Sequence, residues 1–321
     1  MIISAEAFAS SVADVINTNC VVGLSGGADS LCLTMLLDEY LTKHEHKVFA
    51  CIVDHKLRPE SSTEILPIVE ILKQRNISCC IKIWNHNQIL GNIEQKARTA
   101  RYELLCNYCK EVGTNILCIA HHMLDQWETF FMRLSRGSGL RGLSSIHFVT
   151  IFQDMRIVRP LLNFTPEDLK ETLTKRFNID CYIKDPMNSD PTFERVRWRQ
   201  SHAKLAEEYD LSMSNVGLSI RRLAQANDCL EAITDKLLSD LFDGQYLKTE
   251  LFKIQPIEIK IRILNKIVQS LKKNMHTIVS YGLLERMAKI LSQTKFSAIN
   301  FSGLVFRRDK TKHIRVYSEL R

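Results

Sequence analysis

No apolar run in the chain approaches the ~20 residues a membrane-spanning helix needs, which excludes a helical membrane span. No basic start precedes the short apolar stretch at the N-terminus, which instead carries Glu6 and Asp14, so a secretory leader is not expected. No internal repeat and no low-complexity tract occurs, and neither a repeat array nor a biased linker is predicted. The triplet Gly-Lys-Ser/Thr is absent too, and with it the Walker phosphate loop. Ten cysteines are present, but none forms a second pair at zinc-site distance from Cys106-x-x-Cys109. Without an export signal, buried reduced thiols of a cytosolic protein are the expectation, with Cys79-Cys80 in a strand and Cys106/Cys109 inside a helix.

What remains is the composition of a soluble globular protein: 45% hydrophobic and 25% charged residues over 321, a length that suits two domains. The formal charge of +7 is unevenly spread. Residues 253–321 hold 15 Lys/Arg against 4 Asp/Glu (+11), leaving 28 against 32 (−4) for residues 1–252. A basic C-terminal segment on a mildly acidic body predicts a polyanionic partner, nucleic acid in the first instance.

Short apolar runs alternate with longer amphipathic stretches through the first half. Strands are predicted at 20–24, 48–53, 78–84 and 115–120, with helices at 30–42, 62–75, 92–112 and 123–135. The alternation predicts an α/β fold: a parallel sheet with helices on both faces. A hairpin follows at 148–158, and Thr165-Pro-Glu-Asp168 has the cap, proline and acids of a helix start. Residues 185–199 are polar and predict an ordered loop leading into a helix. From about residue 211 three helical stretches (213–243, 256–272, 279–292) precede short strands at 296–301, 305–307 and 313–317. The division is thus 1–210, a catalytic α/β domain, and 211–321, a smaller basic α+β domain.

The strongest chemical signal is Ser25-Gly26-Gly27-Ala28-Asp29-Ser30, between a buried strand and a helix. The glycines let backbone N–H groups approach an anion, and a helix N-terminus adds free donors at the same place. An acid, Asp29, within a phosphate cradle makes sense if a Mg²⁺ ion is positioned there. Gly137-Ser-Gly-Leu-Arg-Gly142 has dinucleotide-loop spacing but follows a helix, so a flexible segment is the better reading.

Ser25–Ser30 resembles the PP-loop of the N-type ATP pyrophosphatases, which split ATP into AMP and pyrophosphate while activating a substrate. Further stretches narrow the resemblance to the tRNA(Ile)-lysidine synthase family. They are Val53-Asp-His-Lys-Leu-Arg-Pro-Glu-Ser61; Ala120-His-His-Met-Leu-Asp-Gln-Trp-Glu-Thr129 with Arg136–Leu143; and Arg159-Pro-Leu-Leu162 with Asp185–Asp190 and Arg195. The resemblance covers roughly residues 18–205. It implies ATP-dependent adenylation of C2 of the wobble cytidine in a CAU anticodon. The amine of L-lysine then displaces AMP, and the codon read changes from AUG to AUA. ATP, Mg²⁺, lysine and tRNA(Ile) are the implied ligands, in the cytoplasm, and a homodimer is compatible with it.

On that reading Ser25–Ser30, Asp54 and His55 bind nucleotide, and Asp29 also holds Mg²⁺. Asp125 and Glu128, three apart, share a helix face after His121-His122 and suit a lysine ammonium, a metal or a proton from an attacking amine. Asp29, His122, Asp125, Glu128 and Arg195 form the catalytic set. Arg98, Arg101, Arg197 and Arg199 would neutralise phosphates of ATP or tRNA. Zinc at the adjacent histidines lacks a nearby cysteine at ligand spacing. Two positions depart from the family pattern: Leu124 stands where an acid is usual, and Val196 where Asn is usual. The alternatives are a tRNA thiolase of the same superfamily, with Cys106/Cys109 as its thiols, and a non-catalytic RNA-binding protein.

Overall fold

Cys20–Leu24 (β1) alternates between two apolar environments: Cys20, Val22 and Leu24 join one core, Val21 the other. That period of two, in a strand buried on both faces, sets the layers of the whole unit. A computed structural model describes residues 1–56, 61–86, 93–183, 190, 192, 194–271, 279–293, 296–309 and 313–318. In chain order the first elements are α1 (Ala5–Val12), β1, α2 (Ala28–Thr42), β2 (Val48–Asp54), α3 (Ser61–Glu64), α4 (Leu66–Gln74), β3 (Ser78–Ile83) and α5 (Ile93–Glu111). They are followed by β4 (Ile116–Cys118), α6 (Met123–Leu134), α7 (Leu140–Leu143), β5 (Val149–Phe152), β6 (Met155–Val158) and α8 (Pro166–Glu171). A π-helical turn spans Thr172–Arg176, and α9 spans Glu194–Tyr209.

The sheet order is β3-β2-β1-β4-β6-β5, parallel throughout except for the β5–β6 hairpin. Helix α2 is buried on nearly every side, as a helix apolar all round must be, and packs with α1, α4 and α8 on one face. Helix α5 covers the other face through Tyr102, Leu105, Cys106 and Cys109. A third cluster, Trp127 with Val216 and Ile220, joins α6 and α9 to the start of α10 (Met213–Leu241).

Two compact units result, Met1–Ala224 and Gln225–Arg321, with α10 running across the division. In the second unit β7 (Tyr246–Leu247), α11 (Thr249–Lys253), α12 (Ile257–Leu271), α13 (Tyr281–Ser292), β8 (Ala298–Phe301), β9 (Leu304–Arg308) and β10 (Ile314–Ser318) follow. Its four strands pair antiparallel in the order β7-β10-β9-β8, with one face packed on the helices through Phe301, Leu304, Phe306, Ile314 and Val316. The expected α/β plus smaller α+β architecture is the observed one.

Three local expectations need correction. The helix predicted at 62–75 breaks into α3 and α4, because Pro67 in the first turn of α4 lacks the N–H that a continuous helix would use. Arg195, Arg197 and Arg199 lie on α9 itself rather than in a loop before a helix, while 184–189, 191 and 193 fall outside the described residues. The segment 137–142 is held in place: Arg133 donates to the Gly142 and Ser145 carbonyls at 2.7 and 3.0 Å, and α7 begins at Leu140.

Candidate active site

In this sheet the strand order reverses beside β1, with β2 on one side and β4 on the other. Ligands of open α/β sheets gather at such a switch point, outside the strand C-termini. Ser25 follows β1, His55 follows β2, His121-His122 follow β4 after two residues, and Arg159 follows β6 directly.

The loop after β1 is built as its glycines predict. Gly26 has φ +80°, and Gly27, in extended conformation, is the N-cap of the 15-residue α2. Ser30 Oγ accepts the Ser25 N–H at 3.2 Å and donates to the Gly27 carbonyl at 3.0 Å, closing the loop on the helix start. The first N–H groups of α2 have no partner within the helix and point, with its positive dipole end, toward the loop. Ile183 donates its N–H to the Gly26 carbonyl at 2.9 Å, and a Cβ on Gly26 would clash with Ile183 Cδ1. Any side chain here would be strained twice, by φ and by contact.

Asp29 sits in the first turn of α2, with its Oδ1 buried and without a hydrogen-bond partner among the described residues. Burial pushes its carboxyl above the usual range; His122 opposes the shift, and the charge of Asp125 adds to it. Unpaired helix N–H groups beside an under-compensated carboxylate would fit a nucleotide carrying a divalent cation, which Asp29 could hold.

His122 joins the loop to α6. Its Nδ1 accepts the Asp125 N–H at 3.3 Å while Asp125 Oδ2 accepts the His122 N–H at 2.9 Å, a reciprocal cap of α6. Accepting at Nδ1 leaves the ring proton on Nε2, which faces Asp29 Oδ2 at 3.6 Å. Asp125 is opposed by burial, yet His122, His121 and Arg199 together hold its carboxyl below the usual range.

Arg199 completes this acidic half. Its Nε donates to Glu128 Oε1 at 2.6 Å, and its Nη2 is 3.8 Å from Asp125 Oδ1. Glu128 is 1% exposed, and burial raises its pKa in spite of Arg199. The fold brings Asp29, His122, Asp125, Glu128 and Arg199 together, and Arg199, expected to meet phosphates, is partly exposed and engaged by carboxylates. Leu124 packs in the Trp127 cluster on another face of α6, so an acid there would lie among apolar side chains. Val196 is likewise buried.

A cationic half lies alongside. Arg159, 7% exposed, donates from Nε to His121 Nδ1 at 3.2 Å and from Nη1 to the His147 carbonyl and Thr150 Oγ1 at 2.8 and 3.1 Å. Burial, with Arg159 adding, pushes the His121 pKa down to about 3, against the attraction of Asp125. His121 is therefore a neutral ring whose Nε2 carries the proton. Arg98 and Arg101 of α5 both stack on Tyr102, at 5.3 and 5.5 Å. Arg101 Nε is buried without a hydrogen-bond partner among the described residues, and burial lowers its pKa. His55 is lowered by burial and then by Arg101. Asp54, 5% exposed, accepts the Lys56 N–H at 2.9 Å and pairs with Lys56 Nζ at 3.2 Å, a turn-closing role. Arg195 and Arg197 are exposed on α9, and Arg197 reaches back to the Thr192 carbonyl at 2.8 Å.

Sequence reasoning did not assign Arg159 or Ile183 to the site. The first was findable as a cation directly after a strand; the second had no local signal. Cys106 and Cys109 are wholly buried in α5, and burial raises both thiols, Cys109 to about 12. Among the described residues no helix is long and apolar enough to cross a membrane.

Residues 3–205 match the PP-loop domain family. The chain is 30% identical over 299 residues to the tRNA(Ile)-lysidine synthase of Wolbachia pipientis wMel, covering 91% of the chain and 69% of that protein. It is 30% identical over 280 residues to the enzyme so named in Zymomonas mobilis, covering 85% and 82%. The corresponding Orientia tsutsugamushi protein is 39% identical over 183 residues, and the chain spans only 41% of its length. Among solved structures, the U34-tRNA thiolase NcsA of Methanococcus maripaludis has the same fold, with a TM-score of 0.58 at 19% identity, covering 69% of this chain and 78% of that one.

Proposed function

The chain belongs to the tRNA(Ile)-lysidine synthases, ligases built on a PP-loop ATP-using domain, and we propose that it joins L-lysine to the wobble cytidine of tRNA(Ile). The cytidine C2 carbonyl oxygen attacks the α-phosphorus of ATP and pyrophosphate leaves. The lysine amine then attacks C2, loses a proton, and AMP departs with the former carbonyl oxygen.

One relationship carries this reading: His122 links the phosphate loop, through Asp29, to the carboxylates of α6. This constellation supports a reading in which nucleotide activation and amine capture are neighbours. Gly26, Gly27 and the α2 N-terminus cradle phosphates, and Asp29 would hold a Mg²⁺ ion, which would supply positive charge beside them. Asp125 and Glu128, fixed by Arg199, supply negative charge for the lysine ammonium and a base for its proton. Arg98, Arg101 and Arg195 supply cations for the nucleotide or tRNA backbone. The basic second unit adds salt-dependent tRNA affinity.

Thiolation by Cys106 and Cys109 is disfavoured by their burial in the α5 face of the core. The test is Asp29→Ala: AMP release should vanish while tRNA binding stays near wild type. Loss of tRNA binding would make Asp29 a structural residue and remove it from the proposed role.

A further inference from the structure

In the second unit, register places Ala298, Arg307, Arg315 and Tyr246 in one row across β8, β9, β10 and β7. Directly paired residues of antiparallel strands project to the same side. The neighbouring row on that side is Asn300, Val305 and Tyr317. The opposite face, with Phe306, Leu304, Ile314 and Val316, is the one buried against the helices. Arg307 and Arg315 are both exposed, at the centre of the outward face.

Two like charges directly opposite on central strands oppose each other and destabilise a sheet. Among the described residues neither arginine has a carboxylate within ion-pair distance, although ion pairs are plentiful on α10, α12 and α13 of the same unit. Arg315 is nonetheless held in place. Its guanidinium lies 5.6 Å from the Tyr317 ring centre, and the Gln245 oxygen, with the amide turned to satisfy both groups, accepts from Nε and Nη2 at 3.0 and 2.8 Å. The acids of the neighbouring turns look elsewhere: Asp243 accepts the Gln245 and Tyr246 N–H groups, and Asp309 the His313 N–H.

We propose that this outward sheet face, centred on Arg307 and Arg315 with Tyr246 and Tyr317 beside them, grips the phosphate backbone of the tRNA substrate. A polyanion supplies the counter-charge that the described residues of the sheet lack, and half-buried tyrosine rings beside exposed arginines suit the sugar and base faces of RNA. This rests on the proposed tRNA reaction but adds the surface and its residues. Contacts of this kind carry affinity rather than sequence choice.

The experiment compares full-length wild type, R307Q, R315Q and R307Q/R315Q. An unmodified tRNA transcript with a CAU anticodon is bound at several salt concentrations. The double variant should bind roughly tenfold or more weaker at 0.1 M salt, with the slope of log K against log salt shallower by about 2. At saturating tRNA its AMP-release rate should match wild type, and R307Q should melt at or above the wild-type temperature at low salt as the repulsion is relieved. Unchanged affinity and slope in the folded double variant overturn the proposal. So does equal weakening on phosphatidylserine vesicles with tRNA binding intact, which would make the face a lipid-binding one. If wild type binds tRNA through these arginines yet adds no lysine, the reaction fails and the surface stands.

Discussion

Nε2 of His122 stands 3.6 Å from Oδ2 of Asp29, while Nδ1 of the same ring accepts the Asp125 N–H at 3.3 Å. The two functions can be separated. His122→Asn keeps an N-cap acceptor for α6 and loses the N–H aimed at Asp29. It should fold with nearly wild-type stability and form AMP on the order of 10²-fold more slowly. His122→Ala also loses the cap, at about 1 kcal/mol. Thermal melts and single-turnover AMP formation read both effects, and a wild-type rate in His122→Asn would leave His122 only a capping role.

Glu128 and Arg199 should behave as a coupled pair. Arg199→Met strands a carboxylate that burial already disfavours, and should cost about 2–3 kcal/mol, toward the low end for a buried pair because Arg199 is partly exposed. Glu128→Gln/Arg199→Met should recover part of that loss. Urea melts of the four proteins close the cycle; strictly additive costs would mean that the 2.6 Å contact contributes no coupling.

His121 sets a pH dependence. Its pKa falls from 6.5 in the unfolded chain to about 3 in the fold, where Asp125, Arg159, Arg98 and Arg101 are its charged neighbours. Between those values the unfolded state binds the extra proton, so this group withdraws stability as pH drops below about 6.5. From pH 7 to pH 5 the withdrawal should be on the order of 1–2 kcal/mol and be missing in His121→Gln. Urea midpoints at the two pH values measure it. An equal loss in both proteins would assign the acid sensitivity to other groups.

The layer order was legible because β1, β2 and β4 are short apolar runs set off by helical stretches, a pattern sequence carries locally. The loop at Ser25–Ser30 was legible for the same reason: glycines, a helix start and an acid occur within six residues. Arg159 was not, because its partners lie 38, 12 and 9 residues away: the β4–β6 pairing brings His121 to it, and the β5–β6 hairpin brings His147 and Thr150. Ile183 reaches Gly26 from much later in the first unit. Residues 194–199 looked like a loop because they are polar, whereas they begin a helix whose Val196 and Trp198 face inward and whose Arg199 meets Glu128. Leu124 looked like a missing site acid; its place in the Trp127 cluster explains why the site tolerates it.

The central claim is the transfer of lysine to tRNA. The protein is incubated with ATP, Mg²⁺, L-lysine and a tRNA bearing a CAU anticodon, and the tRNA is weighed by mass spectrometry. The account predicts a gain equal to lysine less one water, with one AMP released per lysine added. An unchanged tRNA mass, with ATP cleaved only when a sulfur donor is present, would contradict it.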